Sequence, residues 1–533
     1  MLRWGLILLG LMLPAAASAN TPARPPDIGI QTGLLVGKSE QGALVFRGIP
    51  YAEPPVGDLR WRPPRPKAKW SGFRNAQQFG PACPQSPDSP VMMIGPVGAS
   101  SEDCLTLNVW KLATALSDDR LPVMVWIHGG GFFTGSGSEA QFDGTPYVQR
   151  GVIFVTLNYR LGRLGFFAHP ALDGGAGKGL RGNYGLMDIM AALRWVKANI
   201  ASFGGDPRNV TVFGESAGGI SVLALMSSPA AKGLFQKAIV ESGAFPRPMP
   251  TIGAAETLGG DFAKANGVTG PDAAGALRAL SVEAVAPSKP VSPDELARIQ
   301  AMAAPMIDGK LLKEDIFKTF ARHRQAKVPL LIGSNSLEAL VWLFLPGGKM
   351  GTVPIMPADP GKVLGALGPD KDRVMADYGA RFGGDMGKAV PAIATDMTVT
   401  AATDFIADQA AASGQPVFRY RFETVPTPLR GVTAGAPHGA EIPYVFGVFD
   451  RLRNVGAQTT VDDHALSATV IDYWTSFAKS GDPNGPGRPT WPKRDTSGAM
   501  LAFTDAGPVA RTADPLAALF EQRIAAAFAK PFP

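Results

Sequence analysis

The sequence predicts an α/β fold in which a central, mostly parallel sheet is flanked by helices. Short apolar runs that end at glycine-rich or polar residues indicate strands buried on both faces of such a sheet. Between two of these runs, apolar residues recur at helical spacing over 186–200, which indicates a crossover helix. Strand, helix and strand in this order are typical of a right-handed βαβ unit. The apolar runs lie at 123–127, 152–156, 210–213 and 328–332.

The rest of the chain is consistent with one large domain. Of the 533 residues, 45% are hydrophobic and 18% are charged, which is enough apolar material for a large core. Segments rich in glycine, proline and small polar residues, at 174–182, 286–293 and 347–362, predict loops and insertions above the sheet. Strand and helix patterns resume after each segment, so we predict a single domain over 20–533.

The first residues have the pattern of an export signal. A positive start, Met-Leu-Arg, precedes an apolar run at 4–14 and small residues at 15–19. This order predicts a signal peptide over 1–19, cleaved after Ala19, and export to the periplasm or the medium. The run is shorter than the roughly 20 apolar residues that span a bilayer, so we expect no stable membrane insertion after cleavage.

The cysteines, the histidines and the net charge limit which bonds, cofactors and partners the sequence predicts. The two cysteines, Cys83 and Cys104, favour a disulfide, because an even cysteine count in an exported chain favours pairing. The five histidines are scattered, so we predict neither a metal nor another cofactor. The net charge of +6 is small for this length and basic residues form no blocks, which gives no support for nucleic-acid binding. The oligomeric state stays open.

The strongest chemical motif is Gly-Glu-Ser-Ala-Gly at 214–218. It directly follows the predicted strand at 210–213 and precedes apolar residues that indicate the start of a helix. This pattern is typical of the strand-to-helix elbow that holds a serine hydroxyl above the edge of a sheet. We therefore predict that Ser216 is a nucleophile.

A serine nucleophile needs a histidine base and an acid that orients the base, and in this kind of sheet the chain order is serine, acid, histidine. His438 and His464 come late enough in the chain. His438 lies among small residues after an apolar run at 417–422, whereas His464 follows two aspartates, as a solvated residue at a helix start would. We favour His438 and keep His464 as the alternative.

Glu338 is the candidate acid. It follows the predicted strand at 328–332, so it would emerge at the same edge of the sheet as Ser216. A surface glutamate at a helix start, stabilised by the helix dipole, explains the same pattern. The residues alone leave both interpretations open.

Three glycines at 129–131 follow the predicted strand at 123–127. Glycines can turn their amides inward without steric cost, and such amides stabilise negative charge on a carbonyl oxygen. The run by itself is also compatible with a flexible turn. Together with the elbow it matches a two-part oxyanion hole, and we assign the donors to the amides of Gly130, Gly131 and Ala217.

Further motifs occur in one order along the chain: Gly-Ile-Pro-Tyr-Ala at 48–52, Glu-Asp-Cys-Leu at 102–105, Asn-Tyr-Arg at 158–160, Phe-Gly-Gly-Asp-Pro at 203–207, Tyr-Trp at 473–474 and Gly-Asp-Pro-Asn at 481–484. With the glycine run and the elbow, they resemble the type-B carboxylesterase family, an α/β-hydrolase group that includes the cholinesterases. The resemblance extends over about 37–491. It implies a triad of Ser216, Glu338 and His438, and a family disulfide between Cys83 and Cys104.

The expected function is hydrolysis of a small carboxylic ester through an acyl-enzyme, without a cofactor. A catalytically silent binding protein of this fold is an alternative, although the retained serine, acid and histidine argue against it. Hydrolysis of amides or polyesters would use the same residues and stays open. Near the nucleophile, Glu215 could influence the electric field around the histidine, but we favour a buried, hydrogen-bonded strut. We interpret Phe132 and Phe133 as either pocket or core residues.

Overall fold

The computed structural model describes residues 26–529, except 86–96, 174–179, 290, 345–349, 355–358, 426, 428–429, 432 and 450–458. The predicted signal peptide over 1–19 lies outside the described residues, as does most of the predicted loop at 174–182.

The strands form one large sheet and two small ones. In the described part of the chain they are β1 (Asp27–Ile30), β2 (Gly33–Val36), β3 (Lys38–Glu40), β4 (Ala43–Pro50), β5 (Phe73–Asn75), β6 (Thr106–Leu112), β7 (Leu121–Ile127), β8 (Ile153–Leu157), β9 (Gly205–Glu215), β10 (Lys237–Glu241), β11 (Leu330–Asn335), β12 (Leu337–Phe344), β13 (Met350–Pro354), β14 (Val417–Phe422), β15 (Pro437–His438), β16 (Met500–Thr504) and β17 (Gly507–Arg511).

The α-helices surround the large sheet. A π-helical segment, Asp396–Thr400, directly follows the helix at Met386–Thr395. The α-helices in the described residues are α1 (Thr145–Val148), α2 (Gly162–Phe166), α3 (Tyr184–Asn199), α4 (Ala217–Ser227), α5 (Ile252–Ala265), α6 (Ala273–Ala279), α7 (Val282–Val285), α8 (Pro293–Met302), α9 (Ile316–Ala321), α10 (Pro360–Ala366), α11 (Lys371–Arg381), α12 (Met386–Thr395), α13 (Ala401–Ala412), α14 (Ile442–Phe446), α15 (Val461–Ser480) and α16 (Ala517–Ala529). Short 3₁₀ segments lie at Gly57–Leu59, Pro170–Asp173, Ile200–Phe203, Pro229–Ala231 and Gly368–Asp370.

The large sheet has a parallel centre and antiparallel margins. Its strand order is β17-β16-β14-β11-β10-β9-β7-β8-β6-β4-β3. Every pairing from β16 to β8 is parallel, whereas the remaining pairings at both ends are antiparallel. The predicted fold class is therefore confirmed, and the four apolar runs correspond to β7, β8, β9 and β11.

Apolar cores cover both faces of this sheet. Along β7, Val123, Val125 and Ile127 belong to one cluster of buried side chains, and Met124 and Trp126 belong to the other. Alternate side chains of a strand point to opposite faces, so the two clusters lie on opposite sides. Helices α3, α4 and α13 contribute to the first cluster, and α1, α14 and α15 to the second.

A small sheet of order β13-β12-β15 brings two predicted site residues together. Glu338 lies in β12 and His438 in β15, and the two strands pair in parallel. Glu338 does not begin a helix, so the alternative interpretation of this residue is wrong. The predicted loop at 347–362 contains β13 and the start of α10. The strand that carries Glu338 depends on pairing with β13 and with the distant β15, which the local sequence pattern does not specify.

An S–S bond of 2.03 Å joins Cys83 and Cys104, and both cysteines are buried. This is the predicted disulfide. Among the described residues, no helix has the length and apolar character needed to cross a bilayer.

Candidate active site

Ser216 occupies the turn between β9 and α4 with φ 54° and ψ −121°. Positive φ is costly for a residue with a side chain and persists where the surrounding structure imposes it. A Cβ atom added at Gly214 would lie 2.6 Å from the carbonyl oxygen of Ile127, and one at Gly218 would overlap the same oxygen. The turn therefore demands glycine on both sides of the serine, as the elbow motif predicts.

The histidine and the acid are in direct contact. Nδ1 of His438 lies 2.5 Å from Oε2 of Glu338, and both side chains are buried. The other carboxylate oxygen of Glu338 accepts hydrogen bonds of 2.6 Å from the Ser242 hydroxyl and the Asn335 amide. These contacts fix the carboxylate and assign the Nδ1 proton of the imidazole to the Glu338 side.

The Nε2 side of the imidazole faces a second carboxylate. Nε2 of His438 lies 3.2 Å from Oε1 of Glu215. Among the described residues, no hydrogen bond joins the Ser216 hydroxyl to the imidazole. Ser216 and His438 nevertheless line one cavity of about 50 Å³, into which Glu215 also faces.

Glu215 was interpreted from the sequence as a buried strut; it is buried, but its carboxylate faces the imidazole. In the described part of the chain, the polar contact made by its carboxylate is the one with His438. The alternative base, His464, is exposed in α15, where its ring lies 5.0 Å from that of Phe449. Phe132 packs edge-on against Phe166 in the core.

Two further buried glutamates, Glu441 and Glu241, lie near these carboxylates. Glu441 accepts hydrogen bonds from the Ser242 hydroxyl, at 3.1 Å, and from the Asn335 side-chain amide. Glu241 accepts one of 2.7 Å from the indole nitrogen of Trp474. Glu215, Glu241, Glu338 and Glu441 are all buried; we refer to these four residues as the glutamate cluster.

Burial raises the pKa of Glu215, Glu241 and Glu441, because the charged form of a carboxyl group loses its solvation. Burial lowers the pKa of His438, but the negative charges of Glu215 and Glu338 outweigh it and raise that pKa to about 9. The contact between Glu215 and His438 means that these two groups titrate as a pair.

Sequence reasoning missed Ser242 and Glu441. Ser242 directly follows β10, whose carboxyl end meets the same edge of the parallel sheet as β9 and β11. Glu441 comes three residues after His438. These two positions in the sequence could have indicated both residues. However, the hydrogen bonds that make them part of the site join Ser242 to Glu338, 96 positions away, and to Glu441, 199 positions away.

The glycine run supplies amides without partners. Gly130 and Gly131 have φ of 94° and 60°, which suits residues without a Cβ. No hydrogen bond of the described residues uses their N–H groups. Ala217 is the first residue of α4, so its amide has no acceptor within the helix.

A mostly parallel sheet with a serine at this elbow defines a serine hydrolase of the α/β-hydrolase fold. Comparison with known proteins narrows the class. The family described as "Carboxylesterase family" matches residues 24–353 and 371–514. The chain therefore belongs to the carboxylesterase family, and it is a serine carboxylesterase.

Similar proteins cover almost the whole chain. Fumonisin B1 esterase of Sphingopyxis macrogoltabida is 35% identical over 512 residues, covering 94% of this chain and 90% of the relative. Para-nitrobenzyl esterase of Bacillus subtilis (strain 168) is 37% identical over 476 residues, covering 85% of this chain and 90% of the relative. A solved structure titled PNB esterase matches with a TM-score of 0.77 and 33% identity, covering 96% of this chain and all of that one.

Proposed function

We propose that this chain hydrolyses small carboxylic esters in two steps, through an acyl-enzyme on Ser216, with His438 as general base and acid and Glu338 as its orienting carboxylate. The observation that carries the proposal is the 2.5 Å contact between Nδ1 of His438 and Glu338, on an imidazole that shares a cavity with Ser216. A carboxylate in this position fixes the tautomer that leaves Nε2 free to accept a proton.

In the first step, Nε2 of His438 turns from Glu215 towards Ser216 and accepts the hydroxyl proton while Oγ bonds to the ester carbon. The carbon–oxygen bond to the alcohol then breaks, and the alcohol leaves with the proton from Nε2. In the second step, water gives a proton to Nε2 and attacks the acyl carbon. The Oγ–carbon bond breaks, the carboxylic acid leaves, and the proton returns to Ser216.

Negative charge develops on the carbonyl oxygen in both steps. The amides of Gly130, Gly131 and Ala217 are the proposed donors to this oxygen, because none of the three has a partner in the described structure. A donor of this kind typically contributes a factor of about 100 to 1,000 in kcat.

We also propose that the protein is exported after cleavage of residues 1–19, leaving a single domain over 20–533. The disulfide between Cys83 and Cys104 supports this, since such bonds persist in oxidising compartments. Mass spectrometry of the protein purified from an exporting host should give a first residue of Asn20. A mature protein that begins at Met1 would contradict the proposal.

The test of the proposed function is a panel of chromogenic esters of graded acyl length. Ser216→Ala should lower kcat by something on the order of a million-fold, whereas Ser117→Ala, at an exposed serine, should leave it unchanged. Hydrolysis that survives in Ser216→Ala would contradict the assignment. Absence of any esterase activity in the wild type would favour the silent binding protein, and faster cleavage of matched amides would favour an amidase.

A further inference from the structure

The cavity that Ser216 and His438 share has a polar wall that the proposed reaction does not use. Glu139 and Gln141 form this wall. The Ser136 amide donates a 2.9 Å hydrogen bond to one carboxylate oxygen of Glu139, and Nε2 of Gln141 donates one of 2.8 Å to the other. Both side chains are therefore held in place by contacts within the wall.

The amide oxygen of Gln141 has no hydrogen-bond partner among the described residues, although the side chain is only 3% exposed. A buried acceptor without a partner costs free energy, and native proteins leave few such groups. In this orientation Nε2 of the same amide donates to Glu139, which leaves the amide oxygen without a donor. An unpaired acceptor in the wall of a reaction cavity is suited to a donor on the substrate.

The charges of the cavity favour the same kind of ligand. Its ionisable lining groups among the described residues are Glu139, Glu215 and His438, without a lysine or an arginine. Burial raises the pKa of Glu139 to about 7, so this carboxyl group is not a permanent anion near neutral pH. A neutral hydroxyl group, which donates to Gln141 and adapts to either form of Glu139, suits this wall.

The position of the base indicates which half of the ester enters this cavity. In the proposed reaction, which this inference assumes, Nε2 of His438 must protonate the departing alcohol oxygen. His438 lines the cavity together with Gln141, so an alcohol oxygen within reach of Nε2 lies beside this wall. The alcohol half therefore leaves along the wall that carries the unpaired acceptor.

We propose that Gln141 and Glu139 are specificity-determining residues that select esters whose alcohol carries a second hydroxyl group, that is, monoesters of diols and polyols. Gln141 accepts a hydrogen bond from the distal hydroxyl of the alcohol. Glu139 holds the Gln141 amide in the orientation that makes this possible.

The test compares 2-hydroxyethyl acetate with n-propyl acetate, in which a methyl group replaces the distal hydroxyl. Both form the same acetyl-enzyme, so a difference in kcat/KM reports on the alcohol half alone. An apolar cavity would prefer the propyl ester by about fourfold, from the buried methyl group. We expect the reverse, a preference of about three- to tenfold for the hydroxyethyl ester after correction for the rates in hydroxide.

Substitution at the wall should remove this preference. In Gln141→Met, which keeps the volume and loses the acceptor, the ratio of the two kcat/KM values should fall below one, whereas Gln141→Glu, which keeps an acceptor, should retain much of it. Gln149→Leu, at an exposed glutamine, is the matched control and should leave both rates unchanged. A partly misfolded variant loses both rates in proportion, so the ratio remains a valid readout.

A second pair of esters, n-propyl hydroxyacetate and n-propyl propanoate, places the hydroxyl on the acyl half. If Gln141→Met changes the ratio for this pair and not for the acetates, the assignment of the cavity to the alcohol is wrong. If the wild type hydrolyses the acetates but prefers the propyl ester, or if Gln141→Met retains the wild-type ratio, the specificity proposal fails while the proposed function stands. If none of the four esters is hydrolysed, the proposed function itself fails.

Discussion

Two groups of buried charges in this protein are built in opposite ways. Near β14, arginines pair with aspartates: Nε of the buried Arg419 lies 2.8 Å from Asp404, and Nη1 of the half-buried Arg421 lies 2.8 Å from Asp396. In the glutamate cluster, four carboxyl groups are buried, and two of them, Glu215 and Glu338, contact the His438 imidazole. In the described contacts none of the four meets a lysine or an arginine.

The presence or absence of an arginine partner indicates a different role for each group of carboxylates. A carboxylate beside an arginine keeps a fixed charge and holds two elements together. Carboxyl groups that are buried without a cation have raised pKa values, as in Glu215, Glu241 and Glu441, and such groups concentrate at functional sites. The arginine pairs therefore join separate elements as ion pairs, whereas the carboxyl groups of Glu215, Glu338 and Glu441 raise the pKa of His438.

Substitution of Glu338 in the glutamate cluster should affect activity and leave stability unchanged. Glu338→Gln should lower kcat about 10,000-fold with the fold intact, because the imidazole loses the partner that fixes its tautomer. The measurement is kcat on a chromogenic ester, together with the midpoint of urea unfolding. Glu283→Gln, at an exposed glutamate, should change neither. Activity within tenfold of the wild type would remove Glu338 from the triad.

The converse experiment tests stability. Asp404→Asn should lower the free energy of unfolding by about 3–5 kcal/mol, because it leaves Arg419 buried without its carboxylate. Urea unfolding measures this, and kcat of the folded fraction should stay near the wild-type value. Asp385→Asn, at an exposed helix cap, should have only a small effect on unfolding. A large loss of kcat with unchanged stability would contradict a structural role for the pair of Arg419 and Asp404.

A smaller effect concerns pH. The Glu441 carboxyl raises the pKa of His438, so Glu441→Gln should lower it. More of the imidazole is then neutral at low pH, and the acid limb of kcat/KM should move to lower pH. Below that limb we expect an increase of about two- to tenfold. The pH profile of kcat/KM measures this; an acid limb that stays in place, or moves upwards, would show that Glu441 does not act on the base.

The smallest effect concerns stability as a function of pH. Burial raises the pKa of Glu241 well above that of an exposed glutamate. Above the pKa of the unfolded chain, the folded state binds this proton more strongly, so its contribution to stability falls as pH rises. Glu241→Gln mimics the neutral acid and should unfold within about 1 kcal/mol of the wild type at pH 5. At pH 8 the stability of the variant relative to the wild type should be higher than at pH 5. Urea unfolding at both pH values measures this, and a lower relative stability at pH 8 would contradict the prediction.

The sequence predicted the parts of this molecule that depend on local pattern. The buried runs of β7, β8, β9 and β11 were visible because strands covered on both faces are continuously apolar. Ser216 was visible because its turn excludes side chains at 214 and 218. The strand that carries Glu338 was missed, because its partners are β13 and the distant β15.

Folding also creates contacts between buried polar side chains that the sequence does not reveal. Glu215 was expected to be a strut, but its carboxylate faces Nε2 of His438. Ser242 and Glu441 became visible only once folding had placed them beside Glu338 and Asn335. Their role depends on dry surroundings and on contacts between separate segments.

The proposed reaction requires that Ser216 is a nucleophile activated by His438 and Glu338. The most direct measurement is labelling of the wild type, Glu338→Gln and His438→Ala proteins with an alkyl fluorophosphonate, followed by peptide mapping. We expect one adduct, on Ser216, that forms rapidly in the wild type and far more slowly in both variants. An adduct on another residue, or equal rates in all three proteins, would contradict the claim.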